Sequence, residues 1–121
     1  SYEGPSIVIA YSTCIAHGID MATSMTHQKD LVDTGYWPLY RYDPRSAAEG
    51  KQPFRLDSRA PSKDFSEIAL KEGRYAVLSK VNPEGSKNLM DQAQQDIEDR
   101  WALYQEFTEL DRIHIDEEEE G

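Results

Sequence analysis

Residues 6–12, Ser6-Ile7-Val8-Ile9-Ala10-Tyr11-Ser12, contain the longest apolar run of the chain and follow a Gly4-Pro5 turn. The apolar residues are continuous rather than alternating, which is typical of a strand buried on both faces of a parallel sheet. Such a strand needs neighbours on both sides, and the other strand candidates in the chain are short and more polar. The sequence therefore predicts an α/β fold whose sheet is incomplete without further polypeptide.

Composition limits the function classes that fit the chain. Its 121 residues are enough for one domain, and no apolar run approaches the roughly 20 residues of a membrane-spanning helix. Thirteen basic and 23 acidic residues leave a net charge of −10, which argues against nucleic acid as a partner. Cys14 is the single cysteine, so an internal disulfide is impossible and a self-contained zinc or iron–sulfur site lacks ligands. One free thiol suits a reducing, cytoplasmic location.

A helix is predicted after the apolar strand. Asp20 can cap its N-terminus, and the spacing of Met21, Met25, Gln28 and Val32 predicts one mostly apolar face. Gly35 is placed to end the helix in the left-handed conformation. Strand, loop and helix together make half of a βαβ unit.

Residues 36–63 are predicted to be largely extended or irregular. Residues 36–42 are rich in aromatic side chains but contain Pro38, which indicates an edge strand or an extended packing segment. Residues 43–63 carry three of the six prolines and one short strand candidate, at 54–56. We assign residues 1–63 to one strand-loop-helix unit with an irregular extension.

Residues 64–110 are predicted to be helical. Asp64, with Glu67 three residues later, has the spacing of a capping box for a short helix, which Gly73 interrupts before a second helical stretch at 75–80. Asn82-Pro83 should begin the longest helix, which should reach about Leu110. Its stripe of apolar residues at helical spacing predicts core packing: Met90, Ala93, Ile97, Trp101 and Tyr104.

The end of the chain is strongly acidic. The run from Asp116 to Glu120 supplies five of the ten net charges. We expect residues 111–121 to be a solvated, disordered tail, and a docking arm for a basic partner is the alternative.

Cys14 lies just past the predicted strand, in the loop Ser12-Thr13-Cys14-Ile15-Ala16-His17-Gly18. Ligands of open parallel sheets gather at the carboxyl ends of strands. Cys14 is therefore either a small buried apolar residue or one thiolate of a cluster whose other ligands lie elsewhere. His17 could hydrogen-bond near such a site or serve in capping and packing. A Cys/His nucleophile pair lacks an identifiable orienting group, and His27 and His114 are expected to be surface or partly buried packing residues.

Residues 4–19, which include this loop, resemble the C-terminal part of pyruvate:ferredoxin (flavodoxin) oxidoreductases. The resemblance continues through 28–44, 49–58, Arg74-Tyr75 and Arg100-Trp101 to about residue 108. Only the acidic tail lies outside it.

The resemblance implies a large homodimeric enzyme that decarboxylates pyruvate on thiamine diphosphate and Mg²⁺. Electrons then pass through 4Fe-4S clusters to ferredoxin or flavodoxin, and coenzyme A takes up the acetyl group. The fold implied is part of a parallel-sheet, three-layer thiamine-diphosphate-binding domain followed by a helical C-terminal region. Cys14 matches the family cysteine that completes the cluster nearest the thiamine, and Ser12 and His17 flank it and could tune the cluster through hydrogen bonds.

The residues that hold thiamine diphosphate and Mg²⁺ in the family are missing from this sequence. We therefore expect a C-terminal fragment that contributes one cluster ligand and structural packing, binds no cofactor alone and is inactive alone. Its partners would be the rest of the parent enzyme and the homodimer mate. The alternative is a non-catalytic interaction module that completes the sheet of another chain.

Overall fold

The computed structural model describes residues 2–110, which form helices and one small sheet. The elements in chain order are two 3₁₀ turns, Ile15–His17 and Met21–Thr23, then α1 (Ser24–Asp33), β1 (Tyr40–Tyr42), α2 (Arg45–Ala48), β2 (Phe54–Leu56), α3 (Phe65–Ala69), α4 (Gly73–Val81) and α5 (Pro83–Glu109). The predicted acidic tail, 111–121, and His114 lie outside the described residues. None of the described helices is both long and apolar enough to cross a membrane.

Helix α5 is the longest element and confirms the sequence prediction closely. The Asn82 side chain accepts a hydrogen bond from the Gly85 amide, and Pro83 occupies the first turn. Met90 and Ile97 point into a core shared with α1 and α3. The buried members of this core are Leu31, Phe65, Ile68, Ala69, Met90 and Ile97. The predicted apolar stripe is therefore a packing face.

The sheet is a two-stranded antiparallel pair in which Tyr40 faces Leu56 and Tyr42 faces Phe54. It confirms the strand candidate at 54–56, whereas within 36–42, predicted to be an edge strand or an extended packing segment, only Tyr40–Tyr42 forms a strand. The Tyr40 and Phe54 rings, 5.2 Å apart, pack on Tyr104 of α5. Residues 43–63 are mostly irregular, but they contain α2, which the proline content did not predict.

The prediction that Met21, Met25, Gln28 and Val32 form an apolar face on the helix after Asp20 is wrong. Asp20 does cap the entry to this region, by accepting from the Ala22 amide of the 3₁₀ turn, and Gly35 does adopt the left-handed conformation (φ 75°). However, Met21 and Met25 are exposed, whereas His27, Asp30 and Leu31 are buried. Polar side chains from residues 63–72 pair with His27 and Asp30. The spacing of apolar residues along the helix does not indicate such pairs.

The predicted buried strand at 6–12 also needs correction. These residues form no strand, and Ile7, Val8 and Ile9 are 86%, 91% and 70% exposed. The only sheet in residues 2–110 is the antiparallel pair, so the described part of the chain contains no parallel neighbour for this segment. The architecture is thus mixed helix with a small sheet. Near α3, Asp64 caps the helix as predicted, but its side chain accepts from the Ser66 amide and not from Glu67 as the predicted capping box requires. Gly73 begins α4 instead of interrupting a helix.

Candidate functional site

Cys14 lies at the entrance of a tight turn and its side chain is exposed. Its backbone is extended (φ −129°, ψ 136°), and its carbonyl accepts a hydrogen bond from the His17 amide at 3.0 Å. Gly18 closes the turn in the left-handed conformation (φ 72°), and its amide donates to the Ile15 carbonyl at 2.9 Å. Within residues 2–110, Cys14 is therefore not buried.

Two contacts hold the ends of this loop. Thr13 is 7% exposed, and its hydroxyl shares a hydrogen bond with the hydroxyl of Ser24 at the start of α1. At the other end, the Gly18 carbonyl accepts from the amide of Gly73, the first residue of α4, at 3.0 Å. The next residue, Ile19, is buried. The loop therefore presents Cys14 to solvent between two fixed points.

Ser12 and His17, the other predicted site residues, lie on the same loop. The exposed Ser12 hydroxyl donates to the Thr13 carbonyl at 3.3 Å. His17 is partly buried, and its Nδ1 atom has no hydrogen-bond partner in the described part of the chain. The three residues are thus close along one loop, but the structure records no side-chain contact between Cys14 and His17.

A buried charged network borders the loop on the α4 side. The Nε2 atom of His27 lies 2.9 Å from Oε1 of Glu72, and Arg74 Nε lies 2.6 Å from Oε2 of the same carboxylate. His27 and Glu72 are 3% and 2% exposed, so the expectation that His27 is a surface or partly buried packing residue is corrected. Burial, reinforced by the negative charge of Glu72, raises the pKa of Tyr11 above its usual range.

A second group of charged side chains joins α1 to the residues on either side of α3. Asp30, which is almost fully buried, accepts hydrogen bonds from Lys63 Nζ at 2.7 Å and Lys71 Nζ at 3.0 Å. The Lys63 hydrogen bond, with help from Lys71, holds the pKa of Asp30 below its usual range despite burial. Both lysines also approach α1 from the segment that contains α3, so this group joins the two helices.

Only one side chain on the loop, that of Cys14, is of the type that binds 4Fe-4S clusters. Among residues 2–110, no three His, Cys, Asp or Glu side chains gather closely enough to hold a metal ion. A 4Fe-4S cluster is bound by thiolates, typically four, and this chain supplies one, on an exposed and well-held loop. A 4Fe-4S cluster held by Cys14 would therefore need its other thiolates from elsewhere.

Sequence reasoning missed the residues that support the loop. Thr13, Glu72 and Gly73 carried no motif, and Gly73 was interpreted only as a helix break. The contact between Gly18 and Gly73 joins backbone atoms 55 residues apart, so no side-chain pattern could indicate it.

The chain is similar to one segment of several proteins that are named pyruvate-flavodoxin or pyruvate:ferredoxin oxidoreductases, although no protein-family model matches it. It is 50% identical over 105 residues to the putative pyruvate-flavodoxin oxidoreductase of Synechocystis sp. and 44% identical over 108 residues to the pyruvate:ferredoxin oxidoreductase of Moorella thermoacetica. The matches cover 87% and 89% of this chain but 9% of each relative.

A third relative has a different name. The mitochondrial pyruvate dehydrogenase [NADP(+)] of Euglena gracilis is 41% identical over 111 residues, which are 90% of this chain and 6% of that protein. The chain is therefore homologous to one segment of the pyruvate-flavodoxin/ferredoxin oxidoreductases, as the resemblance predicted.

Proposed function

We propose that this chain acts as a segment of an enzyme that oxidatively decarboxylates pyruvate and forms acetyl-CoA. In this proposal Cys14 is one thiolate ligand of the 4Fe-4S cluster nearest the thiamine. The observation that carries the proposal is the exposed Cys14 thiol on a loop fixed at Thr13 and Gly18, in a chain whose homology to these oxidoreductases spans 87% of its length.

Ser12 and His17 have supporting roles in this proposal. A bound cluster accepts and passes on single electrons, and its potential depends on hydrogen bonds to its sulfurs and on solvent exposure. The Ser12 hydroxyl is exposed beside Cys14, and the unpartnered Nδ1 of His17 can donate or accept a hydrogen bond. Both can therefore tune the cluster.

The exposed apolar segment at Ile7, Val8 and Ile9 supports a role within a larger assembly. Residues of this kind are normally covered, and strands of a thiamine-diphosphate-binding sheet supplied by the rest of the enzyme would cover them. Thiamine diphosphate, Mg²⁺, pyruvate and coenzyme A would then bind to other parts of the enzyme and its homodimer mate. The chain alone would hold no cluster and be inactive.

Ferredoxin or flavodoxin is the proposed electron acceptor of the whole enzyme. Both carriers are usually acidic, and this chain has a net charge of −10. Because like charges oppose encounter, the acceptor would dock on another part of the enzyme. The second candidate, a non-catalytic module that completes the sheet of a partner, is favoured by the same exposed apolar segment but assigns no role to Cys14.

The test is a Cys14→Ser variant of the complete holoenzyme, compared with Ile15→Ala. Ile15 is 73% exposed and adjacent to Cys14, so its variant controls for disturbance of the loop. Iron and acid-labile sulfide per protomer, and the electron paramagnetic resonance (EPR) spectrum after reduction, should show one cluster lost or altered in Cys14→Ser and unchanged in Ile15→Ala. Wild-type iron content and spectrum in Cys14→Ser would reject the ligand role and favour the interaction module.

A further inference from the structure

The Cys14 loop and helix α4 approach each other through two glycines. The Gly73 amide donates to the Gly18 carbonyl at 3.0 Å. A methyl group added at Gly73 would lie 3.2 Å from Gly18 Cα and 3.3 Å from Gly18 O, and one added at Gly18 would lie 2.8 Å from Gly73 Cα. All of these neighbours are backbone atoms, which cannot rotate away as a side chain can.

The need for glycine differs between the two positions. Gly18 has a φ of 72°, which disfavours any other residue, whereas Gly73 has no positive φ. Alanine at Gly73 would also suit a helix better than glycine. The space taken by the Gly18 backbone is therefore the reason for glycine at Gly73.

On the α4 side of this contact, the backbone next to Gly73 belongs to a buried residue. Glu72 precedes Gly73 and is 2% exposed, bound by His27 and Arg74. On the loop side, Cys14 and Ile15 are exposed, and the two backbone hydrogen bonds of the turn transmit a displacement of Gly18 toward Cys14. A group added at Gly73 would thus press on the Gly18 end of the loop that carries Cys14.

We propose that Gly73 is a positioning residue, which sets the place of the Cys14 sulfur through its contact with Gly18. This inference rests on the proposed function, because it concerns the sulfur as a cluster ligand. A displacement of a few tenths of an ångström at the ligand loop changes the exposure of the cluster and the hydrogen bonds to its sulfurs, which set its potential. In this proposal Gly73 acts only through its contact with Gly18.

The test compares Gly73→Ala and Gly18→Ala with Gly50→Ala in the complete holoenzyme. Gly50 has nearly the same backbone conformation as Gly18 (φ 71°) but nothing within 4 Å of an added methyl group, so it controls for backbone strain alone. The readouts are the midpoint potential and EPR spectrum of the cluster. A third readout is the alkylation rate of Cys14 in the cluster-free protein, followed by peptide mass spectrometry.

Gly73→Ala and Gly18→Ala should shift the potential and spectrum and change the alkylation rate, while Gly50→Ala matches wild type. A midpoint potential, EPR spectrum and alkylation rate in Gly73→Ala equal to those of the wild type would overturn the inference. If Gly73→Ala does not assemble, equal effects of Gly18→Ala and Gly50→Ala would overturn it, and a shift in Gly18→Ala alone would support it. The Cys14→Ser variant separates the two proposals. If it retains the cluster, the ligand role is rejected. If it loses the cluster while Gly73→Ala behaves as wild type, only the positioning role is rejected.

Discussion

The imidazole Nε2 of His27 and the carboxylate Oε1 of Glu72 lie 2.9 Å apart, and both side chains are almost completely buried. The two residues are 45 positions apart in sequence. Their contact ties α1 to the residue that precedes α4, directly beside the Gly73 contact with the Cys14 loop. The stability of this network therefore affects the geometry of the candidate site.

Replacement of Glu72 by alanine should lower the free energy of unfolding by about 3–5 kcal/mol, because it leaves His27 and Arg74 without their shared carboxylate. Urea unfolding followed by circular dichroism measures this change. Glu67→Ala is the control, since Glu67 is an exposed residue of α3. Equal stabilities of the two variants would show that the buried network does not support the fold.

Asp30 should make the free energy of unfolding depend on pH. Its pKa is lower in the folded than in the unfolded chain, so the unfolded chain binds more protons and stability rises with pH. The contribution is complete above the unfolded value of about 4 and is lost as pH falls through the folded value. Asp30→Asn should lower stability at pH 7 by about 1–3 kcal/mol and weaken the loss below pH ~4.

Asp91→Asn is the matched control for this experiment. Asp91 pairs with Lys87 at 2.8 Å, but the two side chains are 66% and 80% exposed. Such surface pairs contribute about 0.3–0.5 kcal/mol. Chemical denaturation at several pH values should therefore separate the two variants, and identical pH profiles for them would contradict the assigned role of Asp30.

Ile97→Ala should destabilise the chain by about 2–5 kcal/mol, because Ile97 is 2% exposed and its loss leaves a cavity between α5 and the core. Leu103→Ala, on the same helix but 45% exposed, should cost clearly less. Thermal unfolding of the two variants checks the difference. A larger effect at Leu103 would mean that the buried face of α5 is assigned incorrectly.

Elements that depend on local signals were predictable from sequence. Asn82 and Pro83 mark the start of α5, and the spacing from Met90 to Tyr104 identifies its packing face, because capping and helical periodicity act within a few residues. The face of α1 was not predictable in this way. Its buried residues include the polar His27 and Asp30. Their partners Glu72, Lys63 and Lys71 lie 33 to 45 residues away.

The apolar segment at 6–12 shows a different limit. Its composition indicates a strand between two neighbours, but strand formation requires hydrogen-bonding partners, and the described residues supply none. At the candidate site, Cys14 was proposed from its loop and the family resemblance, and its role stays a prediction. Thr13 and Gly73 were not found, because a buried hydroxyl pair and a backbone contact produce no pattern that local sequence reveals.

The most direct test of the central claim is anomalous X-ray diffraction at the iron edge on crystals of the complete holoenzyme. The account predicts an iron atom within bonding distance of Cys14 Sγ, as part of a cluster whose other ligands are cysteines outside this chain. An intact set of clusters with no iron bonded to that sulfur would contradict it.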